Sequence, residues 1–325
     1  MAQVVRIHET GGPDVLKVEE GNVQQPGSNE VLIQQRAIGV NYIDIYHRTG
    51  LYKLLNYPVG LGLEAAGVVE QVGKAVYHLQ PGDRVAYCGG PVGAYAEYRT
   101  IPARHVIKLP DSISNEQAAA VMLKGLTAHY LMYLTFAVQR GDTVLVHAAA
   151  GGVGLIACQI ARHLGATVIG TVSSEEKATL AKENGCHHPI IYTEEDLVER
   201  VKDITQGRGV DAVYDSVGKT TFMPSLDCLR KFGMMVSFGQ SSGPIPPLDV
   251  AVLSQKGSLY LTRPTLMTHI EDYDAYTTNA AKLFELIEKK IITIRIGGLY
   301  HLDEVKQAHI DLESRKTTGA LILQI

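Results

Sequence analysis

Short apolar runs recur through the middle of the chain, separated by glycine-marked breaks and by stretches of helical spacing. Thr143–Val146, Ala166–Val172, Pro189–Tyr192, Asp211–Asp215 and Met234–Phe238 read as strands. Their apolar character is continuous rather than alternating, as expected of strands covered on both faces. An amphipathic helix follows the first run, and a second helical segment, Ala178–Asn184, follows the next. Breaks fall at Gly165, Gly185, Gly207-Arg-Gly209 and Gly233, where turns between such units belong. This alternation predicts an α/β architecture with a doubly wound parallel sheet.

Residues 1 to about 123 have a different texture, with short alternating strands and frequent glycine and proline. Val4–Ile7, Glu30–Gln35, Ala66–Val72, Asp83–Tyr87 and Ala94–Tyr98 read as strands of a compact β domain. A helix starts at Asn115, with Ser114 placed to cap it. Beyond about residue 264 come a helix over Tyr273–Lys290, the segments Ile291–Arg295 and Gly297–Tyr300, and a last strand, Gly319–Gln324. No internal repeat or low-complexity linker interrupts the chain. The expected organisation is a first domain, 1–123, completed by 265–325, with a nucleotide-binding domain, 124–264, inserted between its halves.

Composition narrows the class. The chain has 325 residues, 46% of them hydrophobic, a formal net charge of −4 and no Trp, which is enough for two cores. No apolar run approaches the ~20 residues of a membrane-spanning helix, and no secretory leader is evident. A soluble, cytoplasmic protein is expected. Cys88, Cys158, Cys186 and Cys228 are scattered without CxxC spacing, which argues against a disulfide framework or a clustered zinc site. The slightly negative charge and the lack of a basic patch interleaved with aromatics argue against a nucleic-acid partner.

The densest chemistry lies in His147-Ala-Ala-Ala-Gly151-Gly152-Val153-Gly154. Ala149-x-Gly151-x-x-Gly154 is the dinucleotide fingerprint with alanine at its first glycine. It follows a β-branched strand and opens a helix, the context in which the pattern is specific. Gly151 lets backbone approach a pyrophosphate, and Gly154 lets the helix pack close to the strand, while the helix N-terminus presents N–H groups to the phosphates. At the end of the second strand, Thr171-Val172-Ser173-Ser174, the acidic residue that would bind both ribose hydroxyls of NAD is missing. Two glutamates follow, and Ser173-x-x-Glu176 reads as a capping box, which gives Glu176 a structural role. Lys177 offers an ammonium beside them. Ser216, Phe238, Gly239 and Ser241 follow strand carboxyl ends and are candidates to line a cofactor cleft.

Three further blocks carry a family resemblance over the whole chain: Ala37-Ile-Gly-Val-Asn41-Tyr-Ile-Asp44, Gly60-Leu-Gly62-Leu63-Glu64-Ala-Ala-Gly67 through Gly73, and Gly141-Asp-x-x-Leu145 through Gln159-x-x-Arg162. With Pro81-Gly-Asp-Arg-Val85 and Lys124-Gly-Leu-Thr127, they resemble the zinc-free quinone oxidoreductases related to zeta-crystallin, within the medium-chain dehydrogenase/reductase superfamily. The resemblance implies a GroES-like β domain and a Rossmann-type domain that binds NADPH. It also implies that the zinc branch's ligand His is Leu63 here, its ligand Cys is Asn41, and the position of its further ligand Cys falls near Lys124. Leucine cannot ligate zinc, and an amide and an ammonium are poor substitutes for thiolates, so no metal is expected.

Without a Lewis acid to lower an alcohol's pKa, the expected chemistry is reduction of an acceptor that is already electrophilic, a quinone or an enone. The candidate catalytic residues are Asn41, Tyr46, Tyr52 and Lys124. Each also has a structural reading: a fixed loop for Asn41, a buried ring for Tyr46, a surface aromatic for Tyr52, and a neutralised helix end or phosphate for Lys124. The candidate cofactor-binding residues are Thr127, Tyr130, Gly151, Gly152, Val153, Gly154, Ser173, Lys177, Tyr192, Ser216, Phe238, Gly239, Ser241, Arg263 and Arg315. Of these, the resemblance implies that Lys177, Tyr192 and Arg315 approach the 2′-phosphate. It further implies a homodimer, formed through a strand in Lys256–Arg263 that pairs across a two-fold axis. An alkenal or enoyl-thioester reductase of the same fold, and a non-catalytic crystallin-like or RNA-binding protein, remain the alternatives.

Overall fold

The computed structural model describes residues 1–325. The chain divides into two units: Met1–Leu123 with Ile270–Glu288 and Ile294–Ile325, and Lys124–His269 with Lys289–Thr293. The division falls inside one helix, Asn115–Tyr130. That helix starts where expected, because Ser114 Oγ accepts from the Gln117 N–H at 3.1 Å while the Gln117 side chain accepts from the Ser114 N–H at 3.0 Å.

The second unit is built on six parallel strands. Their spatial order is His188–Ile191, Thr167–Val172, Thr143–Val146, Val210–Asp215, Leu229–Ser237 and Tyr260–Thr262. In chain order this is 3-2-1-4-5-6, the Rossmann arrangement. The order reverses beside Thr143–Val146, so the loops beyond that strand face a crevice at the carboxyl ends. Leu145, Ile169, Ile190, Val213 and Met235 fill one core layer of this sheet. No water-facing side remains on the central strands, which explains their unbroken apolar sequence.

The first unit has a seven-stranded, largely antiparallel sheet and a smaller three-stranded sheet. Glu30–Val40 lies at the centre of the larger sheet, pairing with Glu64–Val72 on one side and with Tyr98–Pro102 and Ala320–Gln324 on the other. The C-terminal strand Ala320–Gln324 also carries Ile296–His301 in parallel. Val5, Ile33, Leu61, Tyr87, Tyr95 and Leu323 are among the side chains packed in its core.

The structure corrects several local expectations. Ala94–Glu97 is not a strand; the regular segment is Tyr98–Pro102. The stretch makes a single bridge, Val4 to Ala96, with the Val5 N–H on Tyr95 O and the Glu97 N–H on Gln3 O, while the buried Gln35 side chain donates to Ala94 O and Ala96 O, so its pairing stops short of a regular ladder. Ile291–Arg295 is likewise irregular, with strand structure starting at Ile296. The helix predicted over Tyr273–Lys290 ends at Glu288. Lys256–Arg263 yields only the three-residue strand Tyr260–Thr262, preceded by a short helix, Ala251–Gln255. The cap before Lys177 is Ser174 and not Ser173: Ser174 has extended backbone angles and its side chain accepts from the Lys177 N–H.

Candidate active site

At the carboxyl end of Thr143–Val146 the chain turns through Ala148, at a positive φ of 52°, into the helix Gly152–His163. No side chain caps that helix. A Cβ on Gly154 would lie 2.2 Å from Ala148 O and 2.9 Å from Ala149 Cα, so only glycine permits this approach of helix to turn. His147 braces the turn from beneath. Ser225 Oγ donates to Thr221 O at 2.7 Å, so it accepts from His147 Nε2 at 2.8 Å, which leaves Nδ1 to accept from Thr171 Oγ1 at 3.0 Å. Thr171 Oγ1 in turn accepts from the Ala148 N–H at 3.2 Å. Burial pushes the His147 pKa down, against the opposing pull of Asp215, consistent with a neutral ring.

The neighbouring strand ends bring the other nucleotide-side candidates into register. Ser173 and Lys177 flank the end of Thr167–Val172, and Tyr192 follows the adjacent strand, with its N–H on Val172 O at 3.1 Å. Burial lowers the Lys177 ammonium pKa, with Glu176 acting in the opposite direction. Asp215 organises the next loop, accepting from the N–H groups of Val217 and Gly218 and from Thr221 Oγ1. Its carbonyl takes the N–H groups of Phe238 and Gly239, and the Ser241 N–H donates to Ser216 O at 3.2 Å. The loops bearing Ser216, Phe238, Gly239 and Ser241 are therefore one hydrogen-bonded assembly. Arg263 closes it, donating to Ser237 Oγ at 3.0 Å and to Gly239 O at 3.3 Å. Tyr130 stacks on His269 with ring centroids 4.3 Å apart. Burial raises its hydroxyl pKa while Arg263 opposes the shift. Thr127, one turn earlier on the same helix, and Lys124, one turn before that, are both buried.

In the first unit, Asn41 precedes the helix Tyr42–Thr49. Its N–H donates to Asp44 Oδ2 at 2.8 Å and its side-chain amide to Glu64 Oε2 at 2.7 Å. The other Glu64 oxygen accepts from the Leu123 N–H at 2.6 Å. A Cβ on Gly39 would lie 2.2 Å from Glu64 Oε2 and 2.3 Å from Ala119 O, so the strand leading to Asn41 must pass this carboxylate as glycine. Tyr46 is buried between two rings, with Tyr52 at 5.1 Å and Tyr42 at 5.6 Å between centroids. Asn41, Tyr46 and Tyr52 thus share one corner of this unit. Arg315 belongs to it as well, facing the Tyr42 hydroxyl, whose pKa burial raises and Arg315 lowers. Lys177 and Tyr192 lie in the other unit.

Sequence reading missed Glu64, Asp44, Tyr95, His309 and Arg48 as partners of this corner. Asn41-x-x-Asp44 has the spacing of a capping box and could have signalled Asp44. Arg48 and Glu313, 265 residues apart and 2.7 Å from each other, carry no local signal.

The residues present do not suit a zinc ion at the positions where one was considered. Leu63 is buried in the core, and the Asn41 amide is committed to Glu64. Nowhere do three His, Cys, Asp or Glu side chains gather as a possible metal site. A dinucleotide is suited: the uncapped helix start and the close glycine approach at Gly154 leave backbone N–H groups and room for a pyrophosphate.

The fold and these strand-end loops define a dehydrogenase/reductase with a GroES-like unit and a Rossmann unit. Residues 27–111 match the alcohol dehydrogenase GroES-like domain family, and 152–282 match the zinc-binding dehydrogenase family. A quinone oxidoreductase of Pseudomonas aeruginosa is 48% identical over 323 residues, 99% of each chain. A 2-haloacrylate reductase of a Burkholderia species is 44% identical over 329 residues, again 99% of each. The crystal structure of Escherichia coli quinone oxidoreductase complexed with NADPH superposes with a TM-score of 0.98, at 47% identity and 100% coverage of both chains. The chain belongs to the quinone oxidoreductase family of the medium-chain dehydrogenase/reductase superfamily.

Proposed function

We propose that this protein is an NADPH:quinone oxidoreductase that works without a metal. The relation to an NADPH-complexed quinone oxidoreductase over the full chain carries this reading. In it, the backbone at Gly151, Gly152, Val153 and Gly154 holds the pyrophosphate, while Lys177, Tyr192 and Arg315 meet the 2′-phosphate. Ser173, Ser216, Phe238, Gly239, Ser241, Arg263, Thr127 and Tyr130 line the rest of the cofactor site. NADPH bound there supplies the hydride. The chain's own residues orient the acceptor and stabilise the charge that develops on its oxygen. Asn41, fixed by Glu64, orients the acceptor; Tyr46 supports Tyr52 through their ring contact; and Tyr52 and Lys124 supply donors to the oxygen. No step calls for a Lewis acid, which agrees with a donor set of leucine and a committed amide.

A homodimer belongs to this proposal. The edge strand Tyr260–Thr262 is exposed at Tyr260 and Leu261, and an uncovered edge of this kind favours pairing with a second copy. Sedimentation as monomer alone at micromolar concentration would refute it. No helix is long and apolar enough to cross a membrane, and a cytoplasmic location is part of the same proposal.

One observation favours a second substrate class: the 44% identical 2-haloacrylate reductase, whose name denotes an activated alkene as acceptor. Steady-state rates with NADPH against a panel of ortho-quinones, para-quinones, alkenals, enoyl thioesters and 2-haloacrylates decide between them. Quinones should give the highest kcat/KM, unchanged by a metal chelator. A preference for haloacrylates would transfer the assignment to alkene reduction, and loss of activity in chelator would overturn the metal-free mechanism.

A further inference from the structure

A buried chain of hydrogen bonds leads from the helix Val305–Glu313 to Asn41, and Arg48 dictates its direction. A guanidinium can only donate. Arg48 Nη1 lies 3.2 Å from His309 Nδ1, so Nδ1 is the acceptor and the ring proton resides on Nε2. From there Nε2 donates to Tyr95 Oη at 3.0 Å, and the Tyr95 hydroxyl donates to Asp44 Oδ2 at 2.8 Å. The same carboxylate oxygen receives the backbone N–H of Asn41, whose side chain is held by Glu64. At the far end Arg48 is secured by Glu313 at 2.7 Å and by Gly11 O at 3.1 Å.

Arg48, His309, Tyr95, Asp44 and Glu64 are all buried. In such surroundings a polar group that loses its partner forfeits solvation as well, so each link enforces the next. The His309 ring packs edge-on against Tyr95, with centroids 5.7 Å apart and an interplanar angle of 89°. Burial, aided by the Arg48 charge, pushes the His309 pKa down to about 3. The ring stays neutral, as one acceptor and one donor nitrogen require.

We propose that His309 is a positioning residue for the reduction: through Tyr95 and Asp44 it sets the backbone of Asn41 and thereby the orientation of the Asn41 amide. The proposal rests on the assignment of Asn41 to the substrate site, and the experiment separates the two. Quinone reduction is compared in the wild type, Asn41→Ala, His309→Leu, His309→Gln and the double variant Asn41→Ala/His309→Leu. Glutamine offers an acceptor oxygen and a donor nitrogen in place of the two ring nitrogens; leucine offers neither.

His309→Leu should lower kcat about tenfold, with KM for NADPH within twofold of wild type, and His309→Gln should recover most of the loss. In the Asn41→Ala background, His309→Leu should cost no further activity, because its effect passes through Asn41. Full additivity in the double variant, an unchanged kcat in His309→Leu, or a glutamine variant as impaired as leucine would overturn the proposal. If Asn41→Ala alone leaves kcat unchanged, the site assignment fails and the proposal with it. Should His309→Leu fold poorly, Tyr95→Phe breaks the same link while keeping the ring, and must give the same loss and the same non-additivity with Asn41→Ala.

Discussion

Replacing Lys177 by alanine should remove one ammonium and leave the start of its helix in place. The contact to the Ser174 cap comes from the Lys177 backbone N–H, which survives the substitution. Lys177 lies in the first turn of the helix Glu175–Glu183, and alanine is a strong helix former. A charge-assisted hydrogen bond from lysine to a phosphate is worth ~1.5–3 kcal/mol. Lys177 is half-buried, so solvent screening selects the lower end of that range. A loss of ~1.4 kcal/mol is a factor of about ten. Lys177→Ala should therefore raise KM for NADPH about tenfold with kcat nearly unchanged, the mark of a contact made equally in ground and transition states. NADH has no 2′-phosphate and should change by less than about twofold. Initial rates over a concentration series of each cofactor, for wild type and variant, provide the comparison. Equal losses for NADPH and NADH would refute the reasoning, placing Lys177 at the pyrophosphate or in the fold. A wild type that prefers NADH would refute it more fully, since Glu175 or Glu176 would then face the ribose.

Gly154→Ala should act on both cofactors alike, because its Cβ meets the backbone at Ala148 and Ala149; thermal unfolding should show a loss of ~1–3 kcal/mol, with KM raised for NADPH and NADH together. Asp211 supplies a pH-dependent test in the nucleotide unit. Burial alone would raise its carboxyl pKa, but hydrogen bonds from Arg208 and Arg230 and from the Thr143 N–H outweigh burial and hold it below the usual range. A carboxylate lowered in this way stabilises the fold above its unfolded pKa of about 4, and the contribution disappears as pH falls through the lowered value. Asp211→Asn should cost ~1–3 kcal/mol at pH 7, and urea unfolding should show the difference from wild type shrinking by pH 3; a difference independent of pH would refute the assignment.

The nucleotide unit was legible because its physics is local. Val144, Leu145 and Val146 are covered on both faces, so apolar continuity alone marks the strand. Gly154 stands where a Cβ has no room, so the fingerprint reports a steric fact. The β unit was less legible where pairing stops short of a regular ladder. Ala94–Glu97 alternates like a strand, yet it makes only the single bridge Val4 to Ala96, and the Gln35 side chain takes Ala94 O and Ala96 O. Around Asn41 only the capping-box spacing to Asp44 was legible, since Glu64, and Tyr95 and His309 behind Asp44, come from distant segments. The Ser174 cap was displaced by one residue because Ser173 and Ser174 are equally good capping types and only the backbone angle distinguishes them.

All six strands of the parallel sheet lie between residues 143 and 262, whereas the central strand of the first unit finds one of its partners only at the end of the chain, where Leu321 pairs with Val40. Synthesis from the N-terminus therefore delivers every strand of the nucleotide-binding sheet before the sheet begun earlier can be completed. Until Ala320–Gln324 emerges, Ala37–Val40 presents unpaired backbone groups along one side, an edge open to strands of other nascent chains. The last five-residue strand thus has a second task besides packing: it seals a seam that the growing polypeptide must carry open for most of its translation.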